Sequence, residues 1–259
     1  MASRPVALVT GAGSGIGAAV AGRIADAGAR VLAAGRNELD LQQVVGTIVE
    51  AGGEAEALRL DVTDAAAVAR LAELERVDWL VNNAGVAISA GLLAMEREEL
   101  LELHLAVNFH GARRVMEALL PGMKERRAGS IVNVASSAGL QGYAYVSAYC
   151  ASKHALVGYS RAAAEELAGT GVSVNLVCPH YVDSPMTDRS VANIVEKTGR
   201  SEAETRAFFA SQNPGGRLVT VGEVAAAVVG LLRGGKTAEI VELDGSDPAE
   251  TPEGAGGGS

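Results

Sequence analysis

Short apolar runs alternate with longer segments of helical period along most of this 259-residue chain. The apolar runs are continuous, as at residues 6–9 and 79–81, which is typical of strands buried on both faces of a sheet. Strand–helix alternation of this kind predicts an α/β fold with one doubly wound parallel sheet and helices on both faces.

The boundaries of the predicted elements follow from these runs and their turn residues. Strands are predicted over 6–9, 30–34, 57–60, 79–82, 130–134, 173–177 and 239–243. Helices are predicted over 15–27, 38–51, 65–74, 97–123, 148–168 and 221–232.

The domain organisation is predicted to be simple, because no shift in composition marks a second domain. Residues 1–245 are expected to form one domain, in which 184–218 lacks a strand and forms an inserted helical flap. Residues 246–259 are rich in Gly, Pro and acid and predict a disordered tail. The last five residues, 255–259, resemble an artificial linker.

Charge and cysteine usage exclude several classes of function. The net charge is −9 without a basic cluster, which argues against nucleic acid or an anionic membrane as the main partner. Two cysteines without a CxxC pattern suit a reducing compartment. No signal peptide or membrane span is recognisable, and the four histidines show no metal-ligand spacing. We therefore expect a soluble, cytoplasmic protein without a metal.

A glycine-rich turn, TGAGSGIG at residues 10–17, follows the first strand and opens the first helix. Backbone N–H groups at such a helix N-terminus bind phosphate when no side chain is in the way. Gly11, Gly15 and Gly17 would supply the tight turn, the close approach and the helix–sheet packing of a Rossmann-type dinucleotide site. The spacing differs from G-x-G-x-x-G, so a simple tight loop is the alternative.

Two further positions bear on the choice of cofactor. The second strand ends in Gly35-Arg36, without the carboxylate that binds the ribose hydroxyl in NAD sites. Arg36 is suited to a 2′-phosphate, so NADP(H) is favoured and NAD(H) remains possible; a solvated surface arginine is the alternative. Asp61, followed by Val62, lies at the same sheet edge, where it would accept from the adenine amino group or cap the next helix.

A phenol and an ammonium group lie four residues apart at Tyr149 and Lys153, on one face of a predicted helix. A nearby cation stabilises a phenolate, although this spacing also occurs by chance. Ser136 lies at the carboxyl end of a strand, residues 82–85 (NNAG) close another strand at the same edge, and Asn108 interrupts a long helix.

Together, these motifs resemble the short-chain dehydrogenase/reductase family, over residues 5–245 and in its ketoreductase-like subgroup of about this chain length. The resemblance implies Tyr149 as acid/base, Ser136 as hydrogen-bond partner of the substrate oxygen, and Lys153 as the group that lowers the tyrosine pKa and holds the nicotinamide ribose. It also implies that Asn108 anchors a water in a proton relay. The expected cofactor-binding residues are Gly11, Ser14, Gly15, Ile16, Gly17, Arg36, Asp61, Val62, Asn83, Ala84, Gly85, Tyr149, Lys153, Pro179, Val182 and Ser184.

The chain departs from the family pattern after the sixth strand. Where Pro-Gly is usual, it has Pro179-His180, which adds bulk and a titratable group near the reacting centre. His180 would contact substrate or point to solvent. By resemblance, Val182 and Ser184 meet the carboxamide. We expect reversion of His180 to Gly to alter substrate range more than cofactor affinity.

The expected reaction is NAD(P)H-dependent interconversion of a ketone and a secondary alcohol. Residues 140–146 and the flap predict a partly hydrophobic pocket, and the resemblance leaves 3-oxoacyl thioesters, polyketide-like ketones and aryl or cyclic ketones open. It also implies a homodimer or homotetramer. The alternatives are a non-catalytic nucleotide sensor or scaffold and a sugar-nucleotide epimerase, whose extra C-terminal region is lacking.

Overall fold

The computed structural model describes residues 4–246. Its strands are β1 (Val6–Thr10), β2 (Arg30–Gly35), β3 (Glu54–Arg59), β4 (Trp79–Asn82), β5 (Gly129–Val134), β6 (Val172–Pro179), β7 (Val182–Asp183), β8 (Val219–Thr220) and β9 (Ile240–Leu243). Its α-helices are α1 (Gly15–Asp26), α2 (Glu38–Glu50), α3 (Ala65–Ala69), α4 (Arg97–His104), α5 (Ala112–Arg126), α6 (Ser147–Glu166), α7 (Pro185–Thr198), α8 (Glu202–Ser211) and α9 (Val221–Gly234).

One seven-stranded sheet, in the order β3-β2-β1-β4-β5-β6-β9, organises the molecule. Every pairing within it is parallel, so the predicted doubly wound fold is confirmed. The strand order reverses between β1 and β4, and ligands of such sheets bind beyond the carboxyl ends of the strands at this point.

Both faces of the sheet are buried, because successive strand residues point to opposite sides. Val9 and Val81 pack with α1, α2 and α9 in one hydrophobic core. Their neighbours Leu8 and Leu80 pack with α5 and α6 in another. This two-sided burial explains why these strands are continuously apolar.

The third strand begins three residues earlier than the predicted 57–60. It is an edge strand, and Glu54 and Glu56 point outward to form ion pairs with Arg30. Apolarity alone therefore misses its first half, since an edge strand tolerates alternating charge.

The predicted helix over 97–123 is divided into three parts. Between α4 and α5, residues Leu105–Gly111 form a π-helical turn. Asn108 lies within this turn. The helix predicted over 65–74 is likewise shorter, because α3 passes into a 3₁₀ turn at Arg70–Glu73.

The flap segment contains the helices α7 and α8, and it leaves and re-enters the domain through the short parallel pair of β7 and β8. Within residues 4–246, no helix combines the length and apolarity needed to span a membrane. Apart from Ser246, the tail predicted over 246–259 lies outside the described residues.

Candidate active site

A cleft of about 1240 Å³ runs along the carboxyl edge of the sheet, from the glycine-rich turn to the flap. All the expected cofactor-binding residues line it except Gly17. Ser136, Tyr149 and Lys153 also line it, whereas Asn108 lies behind its wall. The fold therefore brings most of the predicted site residues into one cleft.

The glycine-rich turn has the local geometry that a phosphate needs. Gly11 and Gly15 take φ values of 66° and 54°, a region that favours glycine. A Cβ on Gly17 would lie 2.1 Å from the Gly11 carbonyl oxygen, so this helix start accepts no side chain there. Helix α1 has neither a side-chain cap nor an acidic residue in its first turn. Its first N–H groups thus face the cleft uncapped, which fits a dinucleotide phosphate.

Thr10 and Asn83 hold this turn in place. The Thr10 hydroxyl accepts from the N–H groups of Asn83 and Ala84 at 3.0 and 3.1 Å. The Asn83 side-chain amide donates to the Thr10 and Gly11 carbonyls at 3.1 and 3.2 Å. Thr10 thereby joins the end of β1 to the end of β4 and holds the glycine-rich turn in position. Sequence analysis did not single out this residue.

Asp61 lines the cleft and does not cap α3. That cap is Asp64, which accepts from the N–H groups of Ala66 and Ala67. The Asp61 carboxylate instead accepts from the Thr63 N–H and hydroxyl at 2.9 and 2.7 Å. Partial burial opposes its ionisation, but these hydrogen bonds and the charge of Arg36 hold the pKa of Asp61 below its usual value.

Arg36 lies exposed at the same end of the cleft. Asp40, which sequence analysis missed, lines the cleft as well, and a Cβ on Gly13 would lie 3.0 Å from its Cβ. The adenosine end of the site therefore presents both a guanidinium and a carboxylate. Sequence analysis missed Asp40 because the carboxylate that binds the ribose is expected at the end of β2, whereas Asp40 lies within α2.

Ser136, Tyr149 and Lys153 converge at the middle of the cleft. Ser136 lies two residues after β5 and accepts from the Ala138 N–H at 3.1 Å. Tyr149 and Lys153 lie one turn apart on α6, and the lysine Nζ is 5.7 Å from the centre of the tyrosine ring. The same Nζ donates to the Val134 carbonyl at 2.9 Å, which ties α6 to the end of β5.

Burial is the largest cause of the pKa shifts of Tyr149 and Lys153. Burial raises the pKa of Tyr149 to about 12, although its hydrogen bond with Ser136 opposes the rise. Burial also lowers the pKa of Lys153 to about 8. That Lys153 lowers the tyrosine pKa stays a prediction of the resemblance, since burial is the largest cause of the shift in this structure.

The Asn108 side chain is occupied by protein groups. Its Oδ1 accepts from the Val86 N–H at 2.8 Å, and its amide donates to the Val86 carbonyl and the Ser152 hydroxyl at 3.0 and 2.9 Å. Asn108 thus fixes the segment after β4 against α6. Anchoring of a water by this residue stays a prediction.

His180 does not point to solvent. Its side chain is 4% exposed, and Nε2 lies 2.7 Å from Glu242 Oε1 on β9. Its Nδ1 lies 3.4 Å from the hydroxyl of Tyr143, and both residues line the cleft. No local spacing could reveal a partner that is 62 residues distant.

Comparison with known proteins identifies the family. Residues 5–194 match the family described as short chain dehydrogenase. The chain belongs to this family. It is an NAD(P)-dependent oxidoreductase that acts on CH–OH and C=O groups, which confirms the resemblance inferred from the sequence.

Similar proteins reduce ketoacyl groups, according to their names. The chain is 39% identical over 242 residues to a protein of Streptomyces virginiae provisionally named ketoacyl reductase of the monensin polyketide synthase, covering 91% of this chain and 92% of the relative. It is 33% identical over 228 residues to 3-oxoacyl-[acyl-carrier-protein] reductase of Escherichia coli, covering 86% and 87%. A crystal structure of an actinorhodin polyketide ketoreductase variant with NADPH shares 37% identity, with a TM-score of 0.88 over 95% of this chain and 98% of the other.

These similarities decide between the two main functional interpretations. The relatives are named as reductases, and Ser136, Tyr149 and Lys153 line the cleft of this chain. The catalytic interpretation is therefore confirmed over the non-catalytic nucleotide sensor.

Proposed function

We propose that this enzyme reduces a ketone to a secondary alcohol with NADPH, using Tyr149 as the proton donor. The observation that carries the proposal is the convergence of Ser136, Tyr149 and Lys153 in the cleft that also contains the uncapped start of α1. When bound, NADPH supplies the hydride.

Arg36 supports NADPH as the cofactor, because a guanidinium binds a phosphate with two parallel hydrogen bonds. The actinorhodin ketoreductase variant, which has the same fold, was crystallised with NADPH. Backbone N–H groups of Gly15 and Ile16 would hold the pyrophosphate, and Asp61 would accept from the adenine. Val182 and Ser184, which border the flap, would meet the carboxamide.

The raised pKa of Tyr149 suits reduction. A phenol with a pKa of about 12 is protonated at neutral pH, so its hydroxyl can donate to the oxygen that becomes negative as the carbonyl is reduced. The Ser136 hydroxyl would donate to the same oxygen. Lys153 would hold the cofactor ribose and replace the proton that Tyr149 gives away. Asn108 would position the loop after β4.

The substrate is proposed to be a partly hydrophobic ketone, with a 3-oxoacyl thioester, a polyketide-like ketone or an aryl or cyclic ketone as the classes to test. The names of the relatives favour the first two. Tyr181 and Phe209, with ring centres 4.7 Å apart, supply an apolar wall beside the flap.

Assembly and location are part of the proposal too. We infer a homodimer or homotetramer that pairs helices α5 and α6, which light scattering on the purified protein would test. A cytoplasmic location is consistent with Cys150 and Cys178, both of which are free thiols.

The experiment that tests the proposed function measures NADPH and NADH oxidation, by absorbance, with ketones and 3-oxoacyl thioesters. We expect reduction of at least one class, with NADPH as the faster cofactor. A protein that binds NADPH but reduces none of these compounds would contradict the proposal.

A further inference from the structure

A hydrogen-bonded chain of side chains lines the substrate end of the cleft. Glu242 Oε1 contacts His180 Nε2 at 2.7 Å, and His180 Nδ1 lies 3.4 Å from the Tyr143 hydroxyl. That hydroxyl donates to Ser137 Oγ at 2.9 Å. This series of hydrogen bonds thus ends at Ser137, the residue next to Ser136, which is the proposed partner of the reacting oxygen.

The strand β9 fixes His180 through both its main chain and its side chain. The His180 N–H donates to the Leu243 carbonyl at 2.9 Å. Because an ionised carboxylate only accepts hydrogen bonds, the imidazole donates to Glu242 through Nε2. In the neutral imidazole, Nδ1 is then an acceptor that faces Tyr143. The buried His180 ring thus places Nδ1 beside the Tyr143 hydroxyl.

The Tyr143 hydroxyl has one proton and more than one acceptor within reach. It accepts from Gln141 Nε2 at 2.6 Å, and its own proton is directed to Ser137, with His180 Nδ1 at the longer distance. The Tyr143 ring packs edge-on against Tyr181, so its position is set by packing. Since the residue lines the cleft, rotation about the C–O bond can present this proton to a ligand.

We propose that Tyr143 donates a hydrogen bond to a second oxygen of the substrate, a few bonds from the carbonyl that is reduced. Tyr143 is then a specificity-determining residue, and His180 and Glu242 are positioning residues. The inference rests on the proposed ketone reduction and narrows its substrates to dioxygenated ketones, such as 3-oxo esters, 3-oxo thioesters and 1,3-diketones.

A matched pair of substrates tests this recognition. Ethyl 3-oxobutanoate and 2-heptanone have chains of equal length, but the second lacks the ester oxygens. Tyr143→Phe removes only the hydroxyl. We expect this variant to lower kcat/KM for ethyl 3-oxobutanoate roughly 10-fold, mainly through KM, because one hydrogen bond is lost. For 2-heptanone, kcat/KM should change by less than about 2-fold, because there is no second oxygen to bind.

Two further variants separate recognition from a structural role. His180→Leu fills the site without ring nitrogens and should lower kcat/KM for the ester about 3-fold more than for 2-heptanone, because Tyr143 loses its polar neighbour. Tyr159→Phe is the matched control, since Tyr159 lies outside the cleft and its hydroxyl donates to Glu117 at 2.8 Å. It should leave the ratio between the substrates unchanged. The ratio is taken within each variant, so a partial loss of folded enzyme cancels.

Equal losses on both substrates in Tyr143→Phe, or no loss on the ester, would overturn the inference while leaving the proposed ketone reduction in place. A wild-type enzyme that reduced neither these two compounds nor the broader panel would instead contradict the proposed function, and the inference would fall with it.

Discussion

The two ends of the cleft are built from different parts of the polypeptide. At the cofactor end the wall is largely main chain, with positive φ values at Gly11 and Gly15 and an uncapped helix start. At the substrate end it consists of side chains from separate elements, including Tyr143 after β5 and His180 after β6. A main-chain wall is damaged by adding atoms, whereas a side-chain wall is damaged by removing them. The predictions below test that difference.

The largest expected effect is at the centre of the cleft, where Ser136→Ala removes the hydroxyl that we propose to stabilise the developing oxyanion. We expect kcat for ketone reduction to fall ~100- to 1000-fold, while the Kd of NADPH, measured by fluorescence titration, is unchanged. Ser211→Ala, on the exposed end of α8, is the control and should behave as wild type. If Ser136→Ala also bound NADPH more weakly, the claim that cofactor binding and catalysis depend on different parts of the cleft would be contradicted.

At the cofactor end, the addition of a single carbon atom should be enough to weaken NADPH binding. In Gly11→Ala the new Cβ would lie 2.9 Å from Ala84 Cα at a φ of 66°. The resulting strain of about 1–3 kcal/mol predicts a loss of NADPH affinity of roughly 10- to 100-fold, visible by calorimetry. Gly46→Ala, in α2 with open space around it, should bind NADPH as tightly as wild type. Normal NADPH binding by Gly11→Ala would mean that the turn does not hold the phosphates.

Arg36 is the exception at the cofactor end, because there a side chain is proposed to bind the 2′-phosphate. Arg36→Ala should reduce the preference for NADPH over NADH about 10-fold, as expected for a lost charged hydrogen bond, with NADH kinetics little changed. Arg30→Ala, at the opposite end of β2, is the control. If the preference were unaltered in Arg36→Ala, the 2′-phosphate would be bound elsewhere.

The smallest effect expected is on the pH dependence of reduction. The pKa of Lys153 is lowered to about 8 by burial, so its charge is lost as the pH rises through that value. Tyr149, with a pKa of about 12, stays protonated throughout. We therefore expect kcat/KM to decrease above pH 8, because a neutral Lys153 has no proton to replace the one that Tyr149 donates. A wild-type kcat/KM that stayed constant well above pH 8 would contradict this role of Lys153.

The same pKa shift also affects stability. Because the folded-state pKa of Lys153 lies below the usual value of 10.5, the unfolded chain binds more protons between these two values. The free energy of unfolding contributed by this group should therefore rise with pH across that interval. Burial of Lys153 thus costs stability near neutral pH.

Much of the fold and of the cofactor end could be predicted from sequence, since both depend on local patterns. A strand buried on both faces must be apolar, and a turn with positive φ favours glycine, so strand β1 and Gly11 are visible in the residue order. The edge strand β3 was predicted too short, because its outward-facing glutamates interrupt the apolar pattern. The π-helical turn around Asn108 left no comparable signal.

The contacts that build the substrate end could not be predicted from the sequence, because they join distant residues. Glu242 lies on the last strand, and its pairing with His180 depends on the register between β6 and β9. Burial is likewise the largest cause of the raised pKa of Tyr149, and it could not be predicted from the sequence. An i,i+4 spacing identifies the tyrosine–lysine pair but carries no information on how deeply the two groups are desolvated.

The central claim is that one cleft binds NADPH through the main chain and delivers a proton through Tyr149. The most direct test compares wild type with Tyr149→Phe, using NADPH oxidation with the best ketone and NADPH binding by calorimetry. The account predicts that turnover falls at least ~100-fold while the Kd of NADPH and the melting temperature stay unchanged; Tyr159→Phe, a substitution outside the cleft on the same helix, should keep its activity. Turnover by Tyr149→Phe close to that of wild type would contradict the account.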